Sequence, residues 1–420
     1  MPSRTPFSAP DAVSRPGAPG TRETMVGNDE RFVLIGGGPA ALSAARAYRE
    51  AGGSGQVRIL SADTEAPYFR PPLSKEFLRG DATDDDLPIE SPEFYRDQRI
   101  DLSLRTEVTA LDTEARTVTT SGGEVIDYTT CLLATGSEPA RPPIPGADHP
   151  DVLTLRTAAD SRRLREAADG VRSAVVVGAG FIGCEAAASL SRLGLQVTMI
   201  CPEPFPQHAR LGEDAGRELA RWLKLEGVSV LTGTELLAIE DGTRIRTDLI
   251  PVLDVGFVLL ATGVQPRVEL AEKAGLDIGK GRVRTDEHLR ASARGVFAAG
   301  DLAFAHNTAA ARALKVEHWG EAEKMGGIAG RTAAGAPAAW DSVPGFWSTI
   351  GDRTLKYAAW GDGFDEARFI KHDNGFTVWY GRGGTTVGVL THEADDDYER
   401  GSDLVERGAP LTEVVSVPAG

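Results

Sequence analysis

Two short apolar runs, Phe32-Val-Leu-Ile35 and Val175-Val-Val177, stand out from an otherwise mixed chain. Each passes straight into closely spaced glycines and then into a helical repeat of apolar positions. A short continuous apolar run bounded by a turn signal reads as a strand buried on both faces, the kind a parallel sheet needs. Residues 31–61 thus predict a strand, a glycine turn, a helix over 42–50 and a strand over 57–61, a mononucleotide-binding β-α-β unit. Residues 173–201 predict the same order again, with a helix over 184–194 and a strand over 196–201. Two copies of one nucleotide-holding device point to a protein that holds two nucleotides together.

The glycine spacing gives the device its chemistry. In Gly36-x-Gly38-x-x-Ala41 the first glycine permits the tight turn and the second lets the backbone approach a pyrophosphate. Ala41 is small enough for the helix to lie close on its strand. Gly178-x-Gly180-x-x-Gly183 repeats the pattern, and Pro39, Ala40, Phe181 and Ile182 complete the two candidate binding loops. Phosphates would rest on the helix N-termini, where free N–H groups favour anions. The ribose candidates are the acidic residues after each second strand: Asp63, slightly later than ideal, and Glu203, twenty residues after Gly183. No Arg or Lys follows Glu203 directly, His208 and Arg210 lying farther on, so NADH is favoured over NADPH.

Further along, two buried strands end alike, in Ala134-Thr135-Gly136 and Ala261-Thr262-Gly263, and a third ends in Gly300-Asp301. This internal echo argues for tandem dinucleotide domains. Alternation over 102–111 and 116–120 predicts antiparallel strands with a turn at Gly122-Gly123. A proline-stiffened loop, Pro67-Tyr-Phe-Arg70-Pro-Pro-Leu-Ser-Lys75, offers two cations, and a helix over 316–332 opens with Glu317, His318 and Trp319. From Trp340 the chain turns to strand-type alternation over 354–360, 367–371, 377–380 and 386–390.

Composition narrows the class. The 420 residues are 41% hydrophobic and 25% charged, an ordinary globular balance with room for two or three domains. No apolar run approaches the ~18 residues of a membrane span, so no membrane insertion is expected. Residues 1–29 lack a secretory core and read as a disordered lead-in, and the expected compartment is cytoplasmic. A net charge of -16 argues against nucleic acid as a partner. The three cysteines, Cys131, Cys184 and Cys201, form no metal-type cluster and read as small buried hydrophobes, so no metal site is expected.

Taken in order, the two glycine fingerprints, Arg70-Pro-Pro-Leu-Ser-Lys75, both Ala-Thr-Gly endings, Gly300-Asp301 and Val316-Glu-His-Trp319 resemble the pyridine nucleotide-disulfide oxidoreductase superfamily over about residues 31–395. Within it the chain is similar to oxygenase-coupled ferredoxin reductases and apoptosis-inducing-factor-like flavoproteins. The resemblance implies an α/β fold with two Rossmann-like dinucleotide-binding domains, glutathione-reductase-like, plus a C-terminal α+β domain. The expected divisions are an FAD-binding domain over 30–148 and 272–332, an NAD(H)-binding domain over 149–271, the α+β domain over 333–400 and a tail over 401–420.

It also implies roles. FAD lies along the first unit and NADH along the second; Asp301 and Arg70 serve the flavin's ribitol and phosphates; Lys75 and Glu185 pair beside its reactive nitrogen. Such a lysine favours the anionic reduced flavin while the glutamate orients it. Glu317, His318, Trp319 and Trp347 are placed near the flavin or nicotinamide. Where relatives carry a ribose-binding glutamate this chain has Ala62, leaving the contact to Asp63. The cysteine pair of the thiol reductases is absent from Pro71-Pro-Leu-Ser-Lys75. Reduced FAD would therefore pass electrons to an external acceptor. A ferredoxin-like iron–sulfur protein is the first expectation, although the charge of -16 sits awkwardly with an acidic partner. A quinone, oxygen or monodehydroascorbate-type acceptor, or a slow NADH-sensing role with homodimerisation, are the alternatives.

Overall fold

The computed structural model describes residues 30–415. Its first sheet is parallel throughout, in the order Val296–Ala298, Thr130–Leu133, Arg31–Ile35, Gln56–Leu60, Ile100–Ser103. The second is also parallel, in the order Ser229–Leu231, Gln196–Ile200, Ser173–Val177, Phe257–Leu260, Leu153–Thr154. Each apolar run occupies an interior strand covered on both faces, which is why it carries no polar alternation. The two Ala-Thr-Gly endings follow strands that pair directly with the two fingerprint strands. The echo in sequence is thus an echo in space.

Several boundaries differ from the sequence expectation. The two crossover helices run Pro39–Glu50 and Phe181–Arg192, each starting three residues early because the glycine turn feeds the helix without a linker. Ile100–Ser103 joins the first parallel sheet, and only Val108–Asp112, Thr117–Thr120 and Val125–Asp127 form the expected antiparallel hairpins. Alternation alone could not separate these strands, since an edge strand of a parallel sheet is half exposed and alternates as well. The later helix is Trp319–Ala333; Val316 to His318 lie outside it, with His318 the extended residue from which it begins.

That helix lies on Pro39–Glu50 at backbone contact. A Cβ on Gly326 would stand 2.1 Å from the Ala40 carbonyl oxygen, and one on Gly330 2.1 Å from that of Ala44. Glycines four apart share one helix face, so their spacing clears a groove for the facing backbone.

The C-terminal sheet is antiparallel, ordered Gly345–Ile350, Arg353–Ala359, Thr385–His392, Phe376–Arg382, Glu366–Lys371. Its Trp360 and Trp379 share a core with the first unit, whereas Tyr357 and Phe376 share one with the second. Helix Asp395–Glu406 runs across position 401, where the tail is expected to begin, and Leu404, Val405, Leu411 and Val414 are buried in the first core. The lead-in at 1–29 and residues 416–420 lie outside the described residues. Among the described residues no helix is long and apolar enough to cross a membrane.

Candidate functional site

A cavity of 1180 Å³ opens where the carboxyl ends of both parallel sheets meet the C-terminal sheet. Open α/β sheets bind ligands at those ends. The glycines divide the labour as their spacing suggests. Gly36 (φ 126°) and Gly178 (φ 104°) make left-handed turns backed against the carbonyls of Ala134 and Ala261, and a Cβ on Gly183 would stand 2.2 Å from the Gly178 oxygen. By contrast, a Cβ on Gly38 meets no protein atom within 4 Å, and one on Gly180 only the Gln207 amide at 3.8 Å. Both border the cavity. Glycine there leaves room for something other than protein.

Pro39, Ala40, Ala134, Thr135, Gly136, Phe181, Ile182, Ala261 and Gly263 also line the cavity, while Ala41, Gly178, Gly183, Thr262 and Glu203 do not. Ala41 is fully buried under its strand. Thr262 donates to the Ala140 carbonyl at 2.6 Å, fixing the link between the units. The Glu203 carboxylate accepts from the Ala209 N–H at 3.2 Å, just outside the lining. Asp63 is at the rim, accepting from the Thr64 N–H at 2.7 Å and the Tyr68 hydroxyl at 3.1 Å.

Arg70 also borders the cavity. Its guanidinium lies over the Tyr68 ring and donates to the Arg156 carbonyl at 3.0 Å, with no carboxylate in ion-pair contact among the described residues. Burial depresses its pKa, and Arg156 adds to the effect. A desolvated cation bordering a cavity calls for an anion such as a pyrophosphate. Asp301 is held by Arg156 at 2.5 Å and by the Ser137 hydroxyl, and Arg282 binds its carbonyl at 2.9 Å while pairing with Glu317. Arg156 escapes sequence reasoning because it belongs to no spaced motif; it only precedes the Thr157-capped helix Ala158–Ala168.

The most connected group is Glu185, one turn into helix Phe181–Arg192. Lys75 approaches its Oε2 at 2.8 Å and the Ser74 hydroxyl at 2.5 Å; the Ser348 hydroxyl donates to Oε1 at 2.7 Å and the Thr349 N–H at 3.2 Å. Lys75 and Glu185 are only 8% and 6% exposed. Isolated burial of either charge would be costly, and these donors compensate it. The 3-10 turn Pro71–Ser74, with Lys75 as its C-cap, delivers Ser74 and Lys75 together. Ser348 and Thr349 were not foreseen, since nothing in Ser-Thr within a strand signals a carboxylate partner 163 residues away.

His318 borders the cavity beside Phe346, ring centroids 4.3 Å apart, and its Nδ1 is buried without a hydrogen-bond partner. Burial first, then nearby Arg210, push its pKa down to about 3 against the pull of Asp301. It is a neutral imidazole at pH 7. Trp319 packs on Phe69 at 5.9 Å, and Trp347 is 55% exposed at the rim. Cys131, Cys184 and Cys201 are buried away from the lining, their thiol pKa values raised by desolvation, that of Cys201 to about 11. The open second glycines, an Arg70 without a carboxylate in ion-pair contact and the orphaned His318 nitrogen fit a flavin dinucleotide along the first unit and a nicotinamide dinucleotide along the second.

The profile of the family described as pyridine nucleotide-disulphide oxidoreductase matches residues 30–326. The rubredoxin-NAD(+) reductase of Pseudomonas putida is 31% identical over 338 residues, 77% of this chain and 85% of that protein. Apoptosis-inducing factor 3 of Mus musculus is 29% identical over 392 residues, 90% of this chain but 63% of that longer protein. Among solved structures, the covalent putidaredoxin reductase–putidaredoxin complex superposes with a TM-score of 0.86 at 26% identity, covering 91% of this chain and 94% of that one. Fold, cavity and these similarities agree: the chain belongs to the pyridine nucleotide-disulphide oxidoreductase family.

Proposed function

We propose that this protein is an FAD-dependent NADH oxidoreductase that delivers electrons to a small iron–sulfur protein. The observation that carries the proposal is the cavity itself, where two glycine loops and the buried Lys75–Glu185 pair converge and no thiol is within reach. FAD, when bound, supplies the conversion of a hydride into electrons that leave singly. The chain's residues do the rest. Gly38 and Gly180 admit the two pyrophosphates, Arg70 neutralises the one on the first loop, and Arg156 and Ser137 orient Asp301 toward the flavin side chain. Lys75, anchored by Glu185, holds a positive charge beside the flavin ring. Neutral His318 adds no charge, and Phe181 and Phe346, 4.7 Å apart, exclude water from the stacking space. Exposed Trp347 marks the rim where an acceptor would approach.

Mixing the reduced protein with a rubredoxin or [2Fe–2S] ferredoxin in a stopped-flow instrument tests this reading. Rapid flavin reoxidation is expected; reoxidation no faster than by air would overturn it. The similarity to apoptosis-inducing factor 3 favours a second reading, an NADH sensor with slow turnover. A long-lived reduced complex and NADH-dependent dimerisation would mark that case.

Preference for NADH over NADPH follows from Glu203, whose carboxylate repels a ribose 2′-phosphate. Replacing Glu203 with Arg is expected to raise the NADPH/NADH ratio of kcat/KM by roughly tenfold or more, the worth of one charged hydrogen bond gained and one repulsion removed. An unchanged ratio would remove Glu203 from the ribose site.

A further inference from the structure

We propose that Ser348 is a positioning residue for the flavin: from the C-terminal sheet it sets the charge that the Lys75–Glu185 pair presents to the ring. This rests on the reading that the pair faces the flavin. Strand Gly345–Ile350 alternates sharply, Trp347 being 55% exposed and Ser348 only 1%. The inward hydroxyl donates to Glu185 Oε1 at 2.7 Å, and the Thr349 N–H meets the same oxygen at 3.2 Å. The other oxygen takes Lys75 and Ser74.

The carboxylate therefore divides its charge between two clients. Donors from the first unit serve Oε2 and donors from the C-terminal sheet serve Oε1. Without the Ser348 hydroxyl, Oε1 keeps one 3.2 Å backbone donor, and the unspent negative charge is met by the Lys75 ammonium. The pair then looks less positive from the cavity, which disfavours the anionic reduced flavin. The hairpin that begins with this strand is also tied at its turn, where Arg192 of the Glu185 helix pairs with Asp352 at 2.8 Å and Arg353 pairs with Glu226 at 3.1 Å. The first turn of helix Phe181–Arg192, through Glu185, and its last residue, Arg192, thus both contact the same β-hairpin.

The experiment is a redox titration of the purified holoprotein at pH 8 against a reference dye, comparing wild type with Ser348→Ala, Ser348→Thr and Glu185→Gln. Ser348→Ala should keep full flavin content while the oxidised/reduced equilibrium moves roughly three- to tenfold toward oxidised flavin, the scale of one hydrogen bond to a charged group. Ser348→Thr, which retains the hydroxyl, should return the wild-type equilibrium. Glu185→Gln removes the negative charge and should move it the opposite way, and adding Ser348→Ala to it should change nothing further. A lower Tm for Ser348→Ala with a wild-type equilibrium would make Ser348 merely structural and overturn the proposal. If Glu185→Gln also leaves the equilibrium in place, the pair does not face the flavin and the underlying reading itself fails.

Discussion

Gly38→Glu is expected to yield a folded but colourless protein. The added side chain meets no protein atom near its Cβ, so the chain has no internal reason to object. The position borders the cavity at the start of helix Pro39–Glu50, where a carboxylate would occupy the pyrophosphate's space and repel it. Flavin content should fall by at least about tenfold, since a single misplaced charge costs more than one tenfold step in affinity. The circular dichroism spectrum should be unchanged. Retention of the flavin absorption bands at wild-type stoichiometry would show that the first glycine loop is not the FAD site. Unfolding instead of simple loss of colour would show that Gly38 has a packing role the structure does not display.

Gly326→Ala should destabilise the protein, although helix propensity alone favours alanine by about 1 kcal/mol. The new methyl would sit 2.1 Å from the Ala40 carbonyl oxygen, so the two helices must move apart by more than an ångström along a fully buried contact. Overpacking of that kind costs about 3 kcal/mol, enough to outweigh the propensity gain. Gly327→Ala is the internal control. Its Cβ would meet only the Ser43 hydroxyl at 3.4 Å, an ordinary contact, so that variant should be neutral or slightly stabilised. Thermal unfolding of the two variants side by side decides the matter; equal Tm values would mean that the close approach has no energetic weight. Because the same helix pair carries the first glycine loop at one N-terminus and His318-Trp319 at the other, Gly326→Ala should also weaken flavin retention.

What could be read from the sequence, and what could not, follows from the range of the interactions. Gly36, Gly38, Gly178, Gly180 and Gly183 announce themselves because turn, helix and strand are local, and a fixed spacing along the chain becomes a fixed geometry. Lys75 stands out as a cation of the proline-stiffened loop, but its pairing with Glu185 comes only through the family resemblance, since two charges 110 residues apart have no spacing to reveal them. Arg156, Ser137, Ser348 and Thr349 had no such guide. Each is a common polar residue whose meaning comes from a partner supplied by another unit. The helix starts at Pro39 and Phe181 were missed for a different reason: a glycine just before a helix looks like the end of a turn, whereas here Gly38 and Gly180 are the extended residues from which the helix begins. Gly326 and Gly330 carry no signal within their own helix, because their reason is the facing backbone of Ala40 and Ala44.

The strand order of the first sheet has a consequence for how the protein is made. Strand Val296–Ala298 closes the edge at Thr130–Leu133, yet about 160 residues, the whole second parallel sheet among them, are synthesised between them. The second sheet is drawn wholly from residues 153–260 and can close while the ribosome is still working. During that interval the nascent first sheet carries an open, apolar edge, the kind of surface that pairs with the wrong neighbour. Chaperone dependence in this protein should therefore concentrate on the amino-terminal third of the chain, and flavin capture at the proposed site, whose lining includes Asp301 and Trp319, should come only after that edge has been sealed.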